Sequence, residues 1–375
     1  MRIAHIESGM HLYGGAAQVR YLLEGLSAAG VDNVLIAARG GALEAAAVPA
    51  RVVALPMRGD LDVGLVMRLR RVLREVQPDL VHVHSRRGAE LYGGIAAALA
   101  RVPAVLTRRV DAAEPAFAAR WKYRPYRAIV ALSRAIEIEL ANRVGIEPAR
   151  LVRIPSAVDT ARYRSDPAAR ARVTAAFALP ADALLVGVVA QLITRKRHAL
   201  LFAELPALAR RYPALRVLCF GRGPLAAELE RDVASRGLEP YVRLVGFRDD
   251  LPDIFPALDL LVHPAEREGL GLALLEAAAC AVPVVACAAG GVVDVVEHGR
   301  TGLLVPANDG HALRAALERL LGDPAQRRRL GAAARARVQR HFAPAALTAA
   351  HLSLYERVLG GAQLAEPKFG RSALE

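Results

Sequence analysis

The segment LDLLVHPAEREGLGLALLEAAACAVPVVACAAG, residues 258–290, reads as a strand, a glycine-rich loop, a helix and a second strand. A strand–helix–strand unit of this kind predicts two parallel strands joined by a helix. Glu266, Glu268 and Glu276 interrupt the apolar character of the segment. Because a buried carboxylate is unfavourable without a polar partner, we expect Glu268 and Glu276 to meet a specific ligand or side chain.

The same alternation of strands and helices extends over the whole chain and restarts once. Further strands are predicted in the runs RIAHIES, VDNVLIAA, DLVHVHS, AVLTRRV and AIVALS, and later in LLVGVVAQL, LRVLCFGRG, VRLVGFRD and TGLLVPA. The loop-like stretch IPSAVDTARYRSDPAARARV separates the two series. The pattern predicts two doubly wound α/β domains in tandem, with ligands at the carboxyl ends of the strands.

The predicted boundaries follow from this restart. We expect an N-terminal domain over residues 1–165 and a C-terminal domain over residues 166–345. A helix over residues 346–362 is expected to pack back towards the N-terminal domain, and residues 363–375 are expected to form a tail.

Composition excludes several classes of protein. A 375-residue chain with 54% hydrophobic residues is folded rather than disordered. We expect no signal peptide, and the best candidate for a membrane span is interrupted by Arg101. The three cysteines have no metal-site spacing and no disulfide pattern, which predicts a reducing cytoplasm.

The net charge of +13 is spread over the chain, with +7 up to residue 160 and +6 beyond it. No nucleic-acid-binding motif accompanies this charge, so nucleic acid is not an expected partner. Acidic small molecules and an anionic membrane surface remain candidate partners.

Three short stretches follow predicted strands and suit the binding of phosphate groups. Gly14 and Gly15 open a helix without large side chains, which lets the backbone approach an anion, although an ordinary tight turn has the same signature. Arg195-Lys196-Arg197 would place positive charge beside a diphosphate, or would be a solvated loop. Gly221 and Gly223 in FGRGP resemble a phosphate-binding turn but lack the third glycine of a dinucleotide fingerprint.

Glu268 and Glu276 are eight residues apart, which on a helix corresponds to a rise of about 12 Å on one side. This distance matches the span from the sugar to the ribose of a nucleotide sugar. A carboxylate accepts hydrogen bonds from vicinal hydroxyl groups, and Gly269 and Gly271 would leave backbone N–H groups accessible between the two glutamates.

These stretches, in this order, resemble the family 4 glycosyltransferases of the GT-B fold over nearly the whole chain. The resemblance rests on RIPSAVDTARY, QLITRKRH, GRGPLAAELE, the two glutamates separated by seven residues, and GGVVDVVEHGRTGLLV. It implies two Rossmann-like domains that face each other across a deep cleft. The N-terminal domain would bind the acceptor, and the C-terminal domain would bind a UDP-, GDP- or ADP-sugar.

The resemblance also implies roles for individual residues, with retention of the anomeric configuration and without a metal or cofactor. Arg195 and Lys196 would neutralise the leaving diphosphate, Glu268 would contact the sugar, and Glu276 would hold the ribose. The expected donor-binding residues are Gly14, Gly15, Gly221, Gly223, Gly246, Phe247, Gly269, Leu270, Gly271 and Glu276. The single Asp-x-Asp, Asp60 to Asp62, precedes a helix and is interpreted as a helix cap rather than a metal site.

The sequence departs from the family at two places that bear on the site. Ala190-Gln191 replaces the usual Gly-Arg of the diphosphate clamp, so Arg195 would supply the guanidinium group. Thr107-Arg108-Arg109 replaces a Thr-Phe-His, so Arg108 and Arg109, with His84, are the candidate acceptor residues. The alternatives are a surface arginine pair and, for His82 and His84, core histidines.

The stretch FAARWKYRPYRA, residues 117–128, mixes aromatic and cationic side chains. Trp121, Tyr123 and Tyr126 would suit an anionic membrane interface, or a half-buried helix followed by a loop. The expected location is the cytoplasm, with peripheral contact to the inner face of the cytoplasmic membrane.

The function implied is transfer of a hexose-type sugar to a saccharide or lipid-linked acceptor, in bacterial envelope polysaccharide or lipopolysaccharide synthesis. The alternatives are another GT-B enzyme acting on sugar nucleotides, such as an epimerase, and a non-catalytic protein that binds a nucleotide sugar. A phosphorylase is disfavoured because the chain is short and contains no recognisable cofactor-anchoring lysine.

Overall fold

The strands form two separate parallel sheets. The computed structural model describes residues 1–11, 14–84, 88–111 and 114–361, and the predicted tail, residues 363–375, lies outside this part of the chain. The chain divides into a first unit, residues 1–157 with the last helix, and a second unit, residues 158–343.

The sheet of the first unit has the order β3-β2-β1-β4-β5-β6-β7, with every pair parallel. Its strands are β1 (Arg2–Glu7), β2 (Asp32–Ala38), β3 (Arg51–Leu55), β4 (Leu80–Val83), β5 (Ala104–Arg108), β6 (Ala128–Ala131) and β7 (Leu151–Arg153). Its helices are α1 (Gly15–Ala28), α2 (Ala42–Ala45), α3 (Leu65–Val76), α4 (Ala89–Ala100), α5 (Ala116–Tyr123) and α6 (Arg134–Ile138), which continues as a π-helical turn, Glu139–Val144.

The sheet of the second unit has the order β10-β9-β8-β11-β12-β13 and is likewise parallel. Its strands are β8 (Leu184–Val189), β9 (Leu215–Phe220), β10 (Val242–Gly246), β11 (Leu260–His263), β12 (Val284–Cys287) and β13 (Gly302–Val305). Its helices are α7 (Ala169–Ala176), α8 (His198–Arg211), α9 (Ala226–Ser235), α10 (Leu251–Ile254), α11 (Leu272–Ala279), α12 (Val292–Val295), α13 (Gly310–Leu321) and α14 (Pro324–His341).

The last helix, α15 (Pro344–Gly360), belongs to the first unit and packs on α1. Leu347, Leu354 and Tyr355 of this helix share a buried core with Leu22 and Leu26 of α1. Burial of side chains of this size contributes roughly 1.5–3 kcal/mol each, so the helix is an integral part of the first unit.

The strand order confirms the predicted fold class of two doubly wound Rossmann-like domains, because in each sheet the chain starts near the centre and winds towards both edges. Every run predicted as a strand forms one. The sequence interpretation missed β3 and β7, which lie at the two edges of the first sheet. Strand β3 is only partly buried and β7 has three residues, so neither has the long apolar run of a central strand.

Within the described residues, no helix combines the length and the apolar character that crossing a membrane requires.

Candidate functional site

The candidate residues of the second unit gather at one edge of its sheet. Lys196 follows β8, Gly221 follows β9, Gly246 ends β10, and Glu268 follows β11. These four strands are neighbours and run parallel, so their carboxyl ends and the loops that follow them meet at the same edge. This is the edge at which doubly wound sheets bind ligands.

A buried ion pair lies at the centre of this edge. Lys196 is in a short 3₁₀ turn, Thr194–Lys196, and its Nζ donates to Oε2 of Glu268. The two side chains are 10% and 14% exposed. Nε2 of His263, at the end of β11, lies 2.9 Å from the same oxygen. The backbone N–H of Gly269 donates to Oε1 of Glu268 at 3.1 Å.

These partners keep Glu268 charged. Burial alone would raise the pKa of its carboxyl group, but the hydrogen bond from His263 and the positive charge of Lys196 outweigh burial and hold the pKa well below its usual range. A charged carboxylate accepts hydrogen bonds only, and one lone pair on Oε1 remains for a hydroxyl donor.

The helical spacing used to estimate the distance between Glu268 and Glu276 does not hold. Helix α11 begins at Leu272, so Glu268 lies in the preceding loop and only Glu276 is helical. Gly271 has a φ of +94°, a left-handed conformation that L side chains rarely adopt, and it ends the loop. The helical rise of about 12 Å therefore does not apply to this pair.

Glu276 lies in the second turn of α11 and accepts a hydrogen bond from the hydroxyl group of Tyr163. Burial raises the pKa of Glu276 to about 7, while the bond from Tyr163 and the positive charge of Arg162 act in the opposite direction. The two glutamates therefore differ, because Glu268 is held charged and Glu276 titrates near neutral pH.

Glu266 forms an ion pair with Arg197, whose Nε lies 2.7 Å from Oε2. Its backbone N–H donates to the carbonyl oxygen of Arg195 at 3.0 Å. These two contacts join the loop after β11 to the turn after β8. They place Arg195, whose side chain is partly exposed, beside the Lys196–Glu268 pair.

The two glycines after β9 allow a close approach to the loop after β8. A Cβ on Gly221 would lie 1.9 Å from the carbonyl oxygen of Ala190, and one on Gly223 would lie 2.3 Å from that of Leu192. The close approach of the two loops therefore requires glycine at both positions, whether or not a ligand binds there.

The remaining predicted donor-binding residues of this unit differ in their contacts and exposure. The carbonyl oxygen of Gly246 accepts a hydrogen bond from the N–H of Gly221 at 2.8 Å. The ring of Phe247 is half exposed and lies 5.0 Å from the guanidinium carbon of Arg222. Leu270 is 3% exposed, so its side chain packs in the interior and only its backbone lies in the loop.

In the first unit, Gly14 and Gly15 follow β1 at the start of α1, and Arg109 follows β5. A Cβ on Gly15 would lie 3.1 Å from Cδ of Arg109, so the two residues are in direct contact. Nε of Arg109 is buried and has no hydrogen-bond partner among the described residues. Burial lowers the pKa of Arg109 to about 10, although Glu7 acts in the opposite direction.

Arg108 differs from its neighbour, because its side chain is 3% exposed and fully engaged. Its guanidinium group lies 2.8 Å from Glu114, and Lys122 bridges Glu114 and Glu90 at 2.6 and 3.2 Å. The structure therefore places Arg108 inside an ion-pair network between β5, α4 and α5. It does not bring Arg108 to a surface where an acceptor would bind.

His84 also lies inside the first unit, in a hydrogen-bonded cluster with His5 and His82. Nε2 of His84 is 3.0 Å from Nδ1 of His5, and His82 contacts the hydroxyl groups of Tyr355 and Thr107 at 2.6 and 2.7 Å. Burial lowers the pKa of His5 to about 3 and the pKa of His82 and His84 well below the usual range. This matches the core-histidine interpretation of His82 and His84.

Within the described residues, only this histidine cluster brings three potential metal ligands together. Its rings are fully buried, hydrogen-bond to one another and to Tyr355 of α15, and lie in the positive field of Arg109. These features suit a cluster that fastens α15 to the sheet.

The interpretation of Asp62 as a helix cap is wrong. Helix α3 begins at Leu65, beyond the reach of a cap at that position. Oδ2 of Asp62 instead accepts from the backbone N–H of Arg58 at 2.9 Å and from the guanidinium group of Arg68 at 2.5 Å. Asp62 therefore fixes the loop between β3 and α3 through an ion pair.

The predicted membrane-facing stretch is only partly exposed. Phe117 and Trp121 are 88% and 57% exposed and lie four residues apart on α5, on one side of the helix. Tyr123 and Tyr126 are buried, and their hydroxyl groups donate hydrogen bonds to Glu114 and to the carbonyl oxygen of Glu90, respectively. Two of the three predicted interfacial aromatics are thus core residues.

The sequence analysis missed His263 and Tyr163, the side chains that contact the two glutamates. His263 is the last residue of β11 and lies five residues before Glu268. Its position at the carboxyl end of a strand therefore indicates a ligand-binding edge. Tyr163 lies more than a hundred residues before Glu276 in the chain, and no local pattern links the two.

Comparison with known proteins agrees with this geometry. The family described as "Glycosyltransferase Family 4" matches residues 13–162, and the family described as "Glycosyl transferases group 1" matches residues 170–337. The 2-deoxystreptamine glucosyltransferase of Streptomyces kanamyceticus is 30% identical over 77% of this chain and 80% of that protein. The chain belongs to the family 4 glycosyltransferases of the GT-B fold.

The chain is also similar to a second curated protein and, in its fold, to a solved structure. It is 34% identical to the GDP-mannose-dependent alpha-(1-6)-phosphatidylinositol monomannoside mannosyltransferase of Mycolicibacterium smegmatis, over 54% of this chain and 55% of that protein. The chain thus spans little more than half the length of this relative. The crystal structure of Anabaena HepE in complex with UDP superimposes with a TM-score of 0.82, at 21% identity, over 94% of this chain and 99% of HepE.

Proposed function

We propose that the chain is a retaining glycosyltransferase that moves a hexose-type sugar from a nucleotide sugar to a saccharide or lipid-linked acceptor. The observation that supports this most directly is the pair Glu268 and Glu276 at the carboxyl edge of the second sheet, with Lys196 bonded to Glu268. Family membership supports the reaction class. The proposal requires neither a metal ion nor a cofactor.

Lys196 and Glu268 would act together on the donor. The diphosphate carries negative charge and would compete with Glu268 for the Lys196 ammonium group. Its arrival would leave Oε2 of Glu268 with His263 alone, and the carboxylate would then accept from hydroxyl groups of the donor sugar. Arg195 would add a second positive charge beside the diphosphate.

Glu276 would hold the ribose, because a carboxylate with two free lone pairs accepts from both vicinal hydroxyl groups. The N-terminal turn of α11 begins directly after Gly271 and offers backbone N–H groups to the diphosphate. In the first unit, Gly14 and Gly15 at the start of α1 would leave the backbone accessible to a phosphate group.

Retention is part of the proposal because it is the stereochemistry of the family that the chain resembles. In a front-face displacement, the acceptor oxygen bonds to the anomeric carbon while the bond from that carbon to the diphosphate oxygen breaks. The acceptor proton passes to the departing phosphate oxygen. Lys196 and Arg195 would lower the barrier by stabilising the charge on that phosphate.

The donor and acceptor classes draw support from the relatives. The named relatives use GDP-mannose or transfer glucose, and HepE binds UDP, so UDP-, GDP- and ADP-hexoses are the donors to test. The mannosyltransferase acts on a phosphatidylinositol monomannoside, which supports a lipid-linked acceptor. Arg109, with a buried and unbonded Nε among the described residues, favours an acidic acceptor. A role in bacterial envelope polysaccharide or lipopolysaccharide synthesis fits these classes.

We place the enzyme in the cytoplasm, with contact to the inner face of the membrane through α5. Phe117 and Trp121 would insert between headgroups, and the exposed Arg124 and Arg127 would meet anionic lipid. Flotation with vesicles containing phosphatidylglycerol tests this, with Phe117→Ala/Trp121→Ala as the variant and Val293→Ala, an exposed apolar residue of the second unit, as the control. Equal flotation of all three proteins would contradict it.

A thermal-shift screen with a panel of nucleotide sugars tests the donor site. A donor at one hundred times its Kd stabilises the folded state by about 2.7 kcal/mol, so a matched donor gives a clear rise in Tm. Glu276→Gln should lose most of this rise, and Glu230→Gln, an exposed glutamate on α9, should keep it. Release of nucleoside diphosphate then separates an enzyme from a binding protein, and anomeric analysis of the product separates transfer from epimerisation.

A further inference from the structure

A side chain outside the glycine-rich loop forms a hydrogen bond with the carboxyl group of Glu276. Tyr163 lies in the segment between Val158, where the second unit begins, and α7. Its hydroxyl group hydrogen-bonds to Glu276. The contact is a long-range one, so the fold rather than local sequence creates it.

The position of Tyr163 is fixed on both sides. Its N–H donates to the carbonyl oxygen of Asp159 at 2.8 Å, and Oδ1 of Asp159 accepts from the N–H of Ala161 at 2.9 Å. The Tyr163 ring is 8% exposed and packs edge-on against Phe255, with ring centroids 6.0 Å apart. These contacts fix the position of the Tyr163 ring, whose hydroxyl group bonds to Glu276.

The segment makes a second contact with the same helix. Oγ of Ser165 donates to the carbonyl oxygen of Cys280, at the end of α11, at 3.3 Å. Arg335 of α14 contacts Oγ of Ser165 at 2.9 Å. Residues 163–165 therefore contact α11 at two places, Glu276 and the carboxyl end of the helix.

We propose that Tyr163 is a positioning residue for the ribose site: its hydroxyl group donates to the Glu276 carboxyl group, fixes its rotamer and leaves the remaining lone pairs facing the ribose hydroxyls. This inference rests on the proposed function, because it assumes that Glu276 binds the ribose of a nucleotide sugar. Tyr163 is the last residue of the stretch RIPSAVDTARY, for which the sequence alone indicates no role in a ribose site.

The electrostatic surroundings make this role measurable. Burial raises the pKa of Glu276 to about 7, and the Tyr163 hydrogen bond is the largest effect that opposes burial, followed by the charge of Arg162. On the same helix Cys280 interacts with Glu276, and from α14 Arg335 acts on Cys280. Removal of the hydroxyl group should therefore raise the pH at which Glu276 becomes a carboxylate.

The test is the pH dependence of donor binding in wild type and Tyr163→Phe, measured by calorimetry from pH 5.5 to pH 9 with the full chain. UDP-glucose and GDP-mannose are the probes, because their diphosphates carry no terminal phosphate that titrates near neutral pH. The wild type should lose affinity about tenfold per pH unit below the pKa of Glu276. Tyr212→Phe is the control, because that hydroxyl group donates to the carbonyl oxygen of Glu318 instead.

The expected result for Tyr163→Phe is affinity within about twofold of wild type at pH 9, a three- to tenfold loss at pH 7, and a midpoint shifted to higher pH. A loss that is equal at every pH would mean that Tyr163 only packs, and an unchanged profile would mean that it does not act on Glu276. Either result overturns the inference and leaves the proposed function standing. Failure of the wild type to bind any nucleotide sugar overturns the proposed function itself.

Discussion

Replacement of Lys196 by methionine should destabilise the second unit and slow transfer for one and the same reason. The change removes the ammonium group but keeps the length and apolar stem of the side chain. Glu268, 14% exposed, then keeps its negative charge with only His263 and the N–H of Gly269 as donors. A buried carboxylate that loses its cation is strongly unfavourable.

The magnitude follows from these contacts. Loss of one partner of a buried pair costs about 3–5 kcal/mol, and the two remaining donors place Lys196→Met at the lower end, about 3 kcal/mol. For a unit of this size, about 3 kcal/mol lowers Tm by roughly 6–12 °C. His263 and Lys196 hold the pKa of Glu268 below its ordinary value, so the share of Lys196 in this stabilisation is present above the ordinary pKa of a glutamate. The difference between wild type and variant should therefore shrink as the pH falls below about 4.

The assay is a double-mutant cycle with Lys196→Met, Glu268→Gln and the double variant, followed by urea unfolding at pH 7. The neutral pair in the double variant should recover most of the lost stability, with a coupling energy of about 2–3 kcal/mol. Transfer should be at least a hundredfold slower in all three variants, because each lacks the cation, the carboxylate or both. A Tm of Lys196→Met within about 2 °C of wild type, or a coupling energy near zero, would refute the reasoning.

Three further predictions concern other parts of the chain. Burial raises the pKa of Glu276 to about 7, above its unfolded value, so ionisation of this group opposes folding at higher pH. Glu276→Gln should therefore be more stable than wild type at pH 8, by on the order of 1–3 kcal/mol, and equally stable near pH 4. A stability difference that does not vary with pH would count against this. Arg108→Ala should unfold about 3–5 kcal/mol more easily, because it removes a buried guanidinium group that faces Glu114 and Glu90. An unchanged urea midpoint would contradict the buried network. Gly221→Ala should lower Tm far more than Gly237→Ala, because a Cβ on Gly221 would lie 1.9 Å from the carbonyl oxygen of Ala190, whereas a Cβ on Gly237 would face open space. Equal melting temperatures of the two variants would exclude the close approach at Gly221.

The sequence predicts the architecture because the central strands are long apolar runs with helical stretches between them. It does not predict β3 and β7, since an edge strand buries less and needs fewer apolar residues. The positions of Lys196 and Glu268 are also predictable from the sequence, because each residue follows an apolar run that reads as a strand, and ligands bind at the carboxyl ends of such strands.

The sequence cannot predict contacts between residues that are far apart in the chain. Tyr163 meets Glu276, and Arg108 meets Glu90, only after the sheets have formed. For the same reason Arg108 and Arg109 look alike in sequence, yet one is enclosed in an ion-pair network and the other is partly exposed. Arg108 is the last residue of β5 and lies against Glu90 and Glu114, whereas Arg109 lies beyond the end of the strand.

The distance estimated from helical spacing between Glu268 and Glu276 fails for a different, local reason. Leu270 and Leu272 continue the apolar pattern of α11 backwards, so periodicity extends the helix towards Glu268. The two glycines in this stretch decide otherwise, because the backbone of Gly271 is left-handed. Glu268 therefore belongs to the glycine-rich loop, as the strand–loop–helix interpretation of the segment predicts.

The most direct test of the central claim is the rate at which the chain releases nucleoside diphosphate from the donor that stabilises it most. Wild type and Glu230→Gln should release it at equal rates. Glu268→Gln, with the stabilising carboxylate removed but its shape kept, should be at least a hundredfold slower, and donor binding should survive through Glu276. Release by Glu268→Gln at the wild-type rate, or the absence of release from every nucleotide sugar in the panel, would contradict the account.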